Sequence, residues 1–270
     1  MSPAAYWLLG LPLASLLAGP LVAQKPAPIS DNSFLIEEAY NQDRGVVQHI
    51  SLFGWQPKSR DWSYSFTQEW PLRNQQQQLS YGVAILRTGG STGLGDLFLN
   101  YRIQALGAKG RRVWVAPRVS VVVPTGSWRA GRGNGVVGLE LKLPGSFELA
   151  PWTTLHLNAG LDLYPRARSV TGERASLIEV STGASIVVML RPTFNLLIET
   201  VIENGAQVTG AGRTSRSTTV VVNPGLRWAH NLSSGLQIVP GISYSIGLGG
   251  ASDQSAVLLY LSFEHPFKRE

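Results

Sequence analysis

The chain has 270 residues, no cysteine, 16 prolines, 29 glycines and a formal net charge of +6. Only 15% of residues are charged, against about 25% in an ordinary soluble domain, while 44% are hydrophobic. These proportions exclude a disordered chain, which needs dense charge and few apolar residues, and they exclude a disulfide scaffold or a thiolate metal site.

Residues 6–22 carry no charge; Pro12 lies inside this run, Gly19 and Pro20 end it, and the first lysine is Lys25. The pattern reads as a secretory signal peptide over residues 1–23, cleaved after Ala23. The alternative is a single anchor helix, which Pro12, Gly19 and Pro20 oppose. Residues 24–45 follow as a segment of their own, in which Glu37 and Glu38 stand beside Phe34, Leu35 and Ile36.

From Val46 onward the pattern has period two, the mark of a half-buried strand. Val47 and Phe53 share one face of the first, weaker segment, and Ile50 and Leu52 the other. Trp62, Tyr64, Phe66 and Trp70 alternate with Ser63, Ser65, Thr67 and Glu69. Leu79, Tyr81, Val83 and Ile85 come next, then Leu97, Leu99, Tyr101 and Ile103, then Val113 to Val121. Further alternating runs begin near Val137, Leu155, Ile178, Phe194, Val220, Leu236 and Val257. That makes twelve strands over residues 46–267, each long enough for the 9–11 residues that cross a bilayer at a tilt (roughly). The predicted fold is all-β, a closed antiparallel up-and-down transmembrane β-barrel of about 12 strands. No series of apolar runs of about 20 residues competes with this reading.

The polar faces decide which side of the sheet meets water. Asp96, Arg102, Arg118, Glu140, Lys142, His156, Asp162, Glu179, Glu199 and Arg227 are set among Ser, Gly, Asn and Thr. A soluble sheet would carry a face dense in Lys and Glu; small neutral residues with a few charges of both signs fit a confined lumen. These ten residues are the expected lumen lining. Trp62, Trp70, Tyr101, Trp152, Phe194, Trp228, Tyr244, Phe263 and Phe267 lie mostly near the ends of apolar faces, where membrane-interface girdles sit. Within such a barrel, Phe34, Glu37 and Glu38 fit either an inward plug paired with Arg102, Arg118 or Arg227, or a flexible periplasmic tail.

Short connections near 108–111, 191–193 and 230–234 alternate with longer ones expected at 124–133, 164–174, 204–217 and 247–254. The long ones carry Arg129, Arg132, Arg166, Arg168, Arg174, Arg213 and Arg216. These residues fit contacts with lipopolysaccharide phosphates or attraction of anionic solutes, or equally a solvated charged rim. Basic residues scattered over loops do not make a nucleic-acid surface.

Phe34 to Tyr40, Gly45 to Ile50, the Gly93, Leu94, Gly95, Asp96 element, Val123, Pro124, Thr125, Gly126, and Val222 to Arg227 together resemble a family of bacterial outer-membrane proteins. That family is named for transport in the phenol-degradation meta pathway. The resemblance implies an outer-membrane barrel and a channel for small, aromatic or hydrophobic solutes.

No P-loop, zinc-protease or nucleophile-elbow motif is present, and His49, His156, His230 and His265 lack metal-ligand spacing. The reading is therefore non-enzymatic, without metal or cofactor. The expected partners are membrane lipid, lipopolysaccharide, a small solute and the barrel-assembly machinery, and the expected place is the bacterial outer membrane. Two alternatives stand: a non-conducting structural or adhesion barrel, and a barrel-embedded lipid hydrolase using His156 and Asn158.

Overall fold

The computed structural model describes residues 29, 32–72, 75–107 and 110–266. The signal-peptide reading of residues 1–23 and the girdle residue Phe267 lie outside them. Twelve antiparallel strands form one sheet. They are β1 (Val46–Trp55), β2 (Trp62–Pro71), β3 (Gln77–Thr88), β4 (Ser91–Leu94 and Leu97–Ile103) and β5 (Val113–Val115 and Arg118–Val123). Then come β6 (Gly138–Ala150), β7 (Thr153–Arg168), β8 (Arg174–Arg191) and β9 (Phe194–Gly210). The last are β10 (Arg213–Trp228 and His230–Asn231), β11 (Gln237–Leu248) and β12 (Ala256–Pro266).

Neighbours in sequence pair in order, and β1 pairs β12 from Val46 opposite Pro266 to Trp55 opposite Val257, which closes the barrel. Within the closed ring each strand has a neighbour on both sides, a requirement for strands solvated by lipid; only the projecting ends, such as 164–168 and 213–219, are paired on one side alone. The interruption in β5 has a local cause. Pro117 has no N–H for the ladder; Ala116 N–H donates to the Pro144 carbonyl at 3.1 Å, and the Pro117 carbonyl accepts from Ile103 N–H at 3.0 Å.

The faces are inverted relative to a soluble barrel. Leu197 and Glu199 are 0% exposed, while Ile198 between them is 53% exposed. Leu99, Leu141, Leu143, Ile178, Val180, Ile186, Leu259 and Leu261 all point outward. The most buried large side chains include Arg227, His156, Gln48 and Glu199. Exposing that much aliphatic surface to water would cost about 25 cal/mol for each Å², so this outer face is one that lipid must cover. Among the described residues no helix is long and apolar enough to cross a membrane; the strands do so.

Two of the expected long loops are corrected. Most of 164–174 and 204–217 is strand: β7 runs to Arg168, β9 to Gly210, and only 169–173 and 211–212 turn. Arg166, Arg168, Arg174, Arg213 and Arg216 thus stand on projecting hairpins. With 16, 18, 17 and 16 residues, β7 to β10 (β10 counted to Trp228) overshoot the bilayer requirement. Beyond lipid a strand needs no apolar face, which is why this stretch reads as loop in the sequence. Arg166 (φ 58°) marks a bulge there, with the β7–β8 register shifting between Ala175 and Leu177.

Trp70, Tyr101, Trp152, Phe194, Trp228 and Phe263 gather toward the end of the barrel with the short turns at 151–152 and 192–193. Phe194 is directly opposite Trp228. Trp62 is near the other end, and Tyr244 sits on the outer wall.

Candidate functional site

The site is the barrel interior and the segment that enters it. Arg102, Arg118, Glu140, Lys142, His156, Asp162, Glu179, Glu199 and Arg227 lie on inward positions of β4 to β10, and Asp96 is buried in the break within β4. Phe34, Glu37 and Glu38 lie in the lumen with them. Residues 32–45 go in from the short-turn end, reach the middle of the barrel near Ser33 to Glu37, and return to that end at Val46.

This segment is held by wall side chains rather than by a strand ladder. Leu35 and Ile36 N–H both donate to Glu199 Oε1 at 3.1 Å. Glu37 N–H donates to Asn158 Oδ1 at 2.8 Å, and the Asn158 amide returns a bond to the Glu37 carbonyl at 2.9 Å. Ala39 N–H meets Ser146 Oγ at 2.8 Å, and Gln42 N–H meets Gln78 Oε1 at 2.8 Å. Arg102 donates to the carbonyls of Glu38 and Tyr40 and to Asn41 Oδ1. Ser33 Oγ and Ser185 Oγ are 3.2 Å apart. The bonds to its N–H and carbonyl groups replace water on backbone that burial would otherwise orphan.

Two carboxylates pin the segment. Glu37 pairs with Arg118 at 2.5 Å, Arg118 also reaches Glu140 at 2.8 Å, and Lys142 lies 3.6 Å from Glu140 and 3.9 Å from Asp162. The result is a ladder of alternating charge across the wall. Glu38 is buried against Arg227 at 2.9 Å, with His156 Nε2 3.7 Å away. Burial pushes the Glu37 carboxyl upward, but the Arg118 charge and hydrogen bond, with Arg102 and Lys142, outweigh it and hold the group below its ordinary value of 4.5. A lowered value means that the ionised form favours docking. The contribution is complete above pH 4.5 and is lost as pH falls through the lower, docked value. Segment release driven by Glu37 is therefore expected only in acid, below the ordinary carboxylate range. A pH series of bilayer conductance checks this, and Glu37→Gln should flatten the acid response.

Glycines on the wall make the room. A Cβ on Gly225 would sit 2.7 Å from Phe34 Cε2, and one on Gly241 2.9 Å from Phe34 Cζ; Gly183 is pressed by Ile36 in the same way. The Phe34 ring meets Tyr260 edge-on at 5.8 Å. Sequence reasoning missed this pocket because it took every inward residue as polar. Val187, Leu197, Val239, Leu258 and Tyr260 face inward and cluster with Phe34, with Ile50 and Leu52 packed against them. Glycines at inward positions of β8, β10 and β11 were the available signal.

Asp96 has a different place from the mid-lumen charges. Its carboxylate accepts from Gly126 N–H at 2.8 Å and Asn134 N–H at 3.2 Å, fastening the loop between β5 and β6. Two short motifs noted in the sequence thus meet in one contact. In the same loop Arg129 stacks on the Trp128 ring at 4.2 Å, Arg168 at the end of β7 approaches that ring at 5.3 Å, and Arg132 donates to Ser91 Oγ. Asp96→Ala leaves two amides without their acceptor, at a cost of about 1–3 kcal/mol. Limited trypsin digestion is expected to cut that variant after Arg129 and Arg132 well before the parent.

His156 and Asn158 face the lumen, and His156 is 1% exposed with Nδ1 2.7 Å from Ser146 Oγ. The hydrolase alternative needed a serine on a neighbouring strand reachable from the lipid side; Ser146 is the serine beside His156, but it is 0% exposed and faces the lumen. His49 and His265, remote in sequence, meet on the outer face with Nε2 atoms 3.2 Å apart.

Two cavities flank the segment. One of about 440 Å³ opens toward the short-turn end beside Tyr40, Asn41 and Gln42. The other, about 330 Å³, lies farther in, between Phe34, Ile50, Leu52 and Tyr260 on one side and Asn100, Arg118 and Glu140 on the other.

No family model and no curated protein matches the sequence. Solved structures match the fold. The COG4313 outer membrane channel from Pseudomonas putida F1 has a TM-score of 0.62 at 10% identity, over 84% of this chain and 97% of that one. The NanC porin has a TM-score of 0.56 at 10% identity, over 82% and 100%. The KdgM porin in complex with disordered oligogalacturonate has 0.52 at 9% identity, over 83% and 99%. The chain therefore has the closed twelve-stranded antiparallel fold of outer-membrane porin-like barrels. At such low identity the likeness concerns that fold.

Proposed function

We propose that the chain is an outer-membrane channel for the passive passage of small solutes, with residues 32–45 as a removable closure of its lumen. The observation that carries this reading is the way the segment is bound. A strand added to the wall could leave only by breaking a ladder; this segment leaves when side-chain bonds and two ion pairs break, and the wall keeps its own pairing. The inner cavity has an apolar side at Ile50, Leu52 and Tyr260, which supports a solute with an aromatic or aliphatic body and a polar group. The charge ladder from Arg118 to Asp162 is where selectivity would be set.

Arg174, Arg213 and Arg216, near the tips of the projecting hairpins, together with Arg129, Arg132, Arg166 and Arg168, are the proposed contacts for lipopolysaccharide phosphates. Insertion of such a barrel requires export behind the signal sequence and the barrel-assembly machinery. The rival reading is a non-conducting structural or adhesion barrel. Planar-bilayer recording separates them: discrete conductance steps are expected, rare for the parent at neutral pH and frequent when the segment is loosened. Absence of steps from a variant lacking the segment would favour the rival.

A further inference from the structure

We propose that His49 and His265 form a two-histidine site for a divalent metal ion of the zinc class on the outer wall, and that an ion held there clamps the barrel along its closing seam. The first ground is geometry. The two Nε2 atoms are 3.2 Å apart. Two nitrogens on one tetrahedral zinc, at bonds of about 2.0–2.1 Å, stand roughly 3.3 Å apart. The rings lie within 17° of parallel with centroids 5.4 Å apart, so a modest turn of each aims both lone pairs at one ion.

The second ground is the tautomer. His265 Nδ1 is 3.4 Å from the Pro266 carbonyl oxygen. That oxygen can only accept, so Nδ1 carries the proton and Nε2 keeps the lone pair a metal needs. Metal-bound histidines are oriented in this way, through the far ring nitrogen. The third ground is rigidity. The His49 ring stacks on Phe263 at 4.6 Å and on Phe66 at 6.0 Å. A ring held by aromatic neighbours loses little freedom when it takes up an ion.

The position gives the ion a consequence. His49 is on β1 and His265 on β12; Phe263 is opposite His49 and Val47 opposite His265, so the pair sits diagonally across the junction of the first and last strands. Every other junction in the wall joins strands that are neighbours in sequence. The two histidines are 216 positions apart, which hides them from any spacing rule. An ion bound to both stabilises the closed ring by mass action. Among the described residues no group of three or more His, Asp or Glu side chains could hold a metal, so the chain supplies two ligands here and water the rest. The site does not depend on whether the lumen conducts.

The test uses the full mature chain without a histidine tag, in detergent, with zinc and copper(II) as probes. Calorimetric titration should show saturable micromolar binding of one ion per chain, tighter for copper than for zinc. The copper(II) electron paramagnetic resonance spectrum should carry nitrogen couplings. His49→Gln and His265→Gln should each weaken binding by about tenfold or more, since one imidazole alone has lost the chelate; His230→Gln should not. On heat-modifiable gels, zinc should raise the conversion temperature of the parent by a few degrees, reversibly with EDTA, and leave both histidine variants unmoved. The same gels confirm that each variant is a barrel. The proposal is overturned by the lack of saturable binding, or by full affinity in either histidine variant. Binding that is lost in the variants but shifts no conversion temperature would keep the metal site and overturn the clamp.

Discussion

A chain carrying Ser33→Cys and Ser185→Cys should pass no current when oxidised and regain its openings when reduced. The two hydroxyl oxygens are 3.2 Å apart, close enough for the replacing sulfurs to bond after a small adjustment. The chain has no cysteine of its own, so no competing disulfide forms. Reduction returns the segment to its side-chain bonds alone. Deletion of residues 32–44 is the opposite limit, and its conductance should exceed the parent's mean by at least tenfold, because the segment's exit joins the two cavities. If oxidised and reduced protein conduct alike, residues 32–45 are not a closure. Planar-bilayer recording with dithiothreitol added after insertion makes the comparison on the same channels.

The second large effect is expected at Glu38. Its carboxylate is buried against Arg227 at 2.9 Å, and Arg227 itself is 2% exposed. Glu38→Ala leaves that guanidinium in the docked state without its carboxylate, although a withdrawn segment would let water reach it. Breaking one side of a buried pair costs about 3–5 kcal/mol. The population of the open state should therefore rise by roughly two to three orders of magnitude, limited by how far the other bonds hold. Glu37→Ala should have a smaller effect, since Glu37 is partly exposed and Arg118 keeps Glu140. Open probability at neutral pH ranks the two variants, and the reverse order would refute this assignment of the main pin.

The strands were legible because lipid on one side and water on the other impose an alternation that few other folds sustain for so long. Each of the twelve alternating runs found its strand. The overshoot of β7 to β10 was not legible, since outside the bilayer nothing forces an apolar face on residues such as Arg213 to Thr218. Local pattern gave the inward side of Arg102, Arg118, His156 and Arg227 but not their partners. Arg118 and Glu37 are 81 positions apart, and Arg227 and Glu38 are 189 apart. Only closure of the barrel brings them together. Phe34 was noticed for its apolar character, yet its pocket depends on Gly225 and Gly241, where the information lies in the lack of a side chain.

Residues 32–45 enter and leave by the same end, and Gly45, at φ 80° with nothing within 4 Å of its would-be Cβ, joins them to β1. A loop tethered in this way has one direction of exit. A push from the long-hairpin side drives it out, whereas a push from the short-turn side seats it harder. Because its pinning groups are the anionic Glu37 and Glu38, an electric field acts on it with a sign as well as a strength. A pore closed in this manner is a check valve, and its current–voltage curve has no reason to be symmetric.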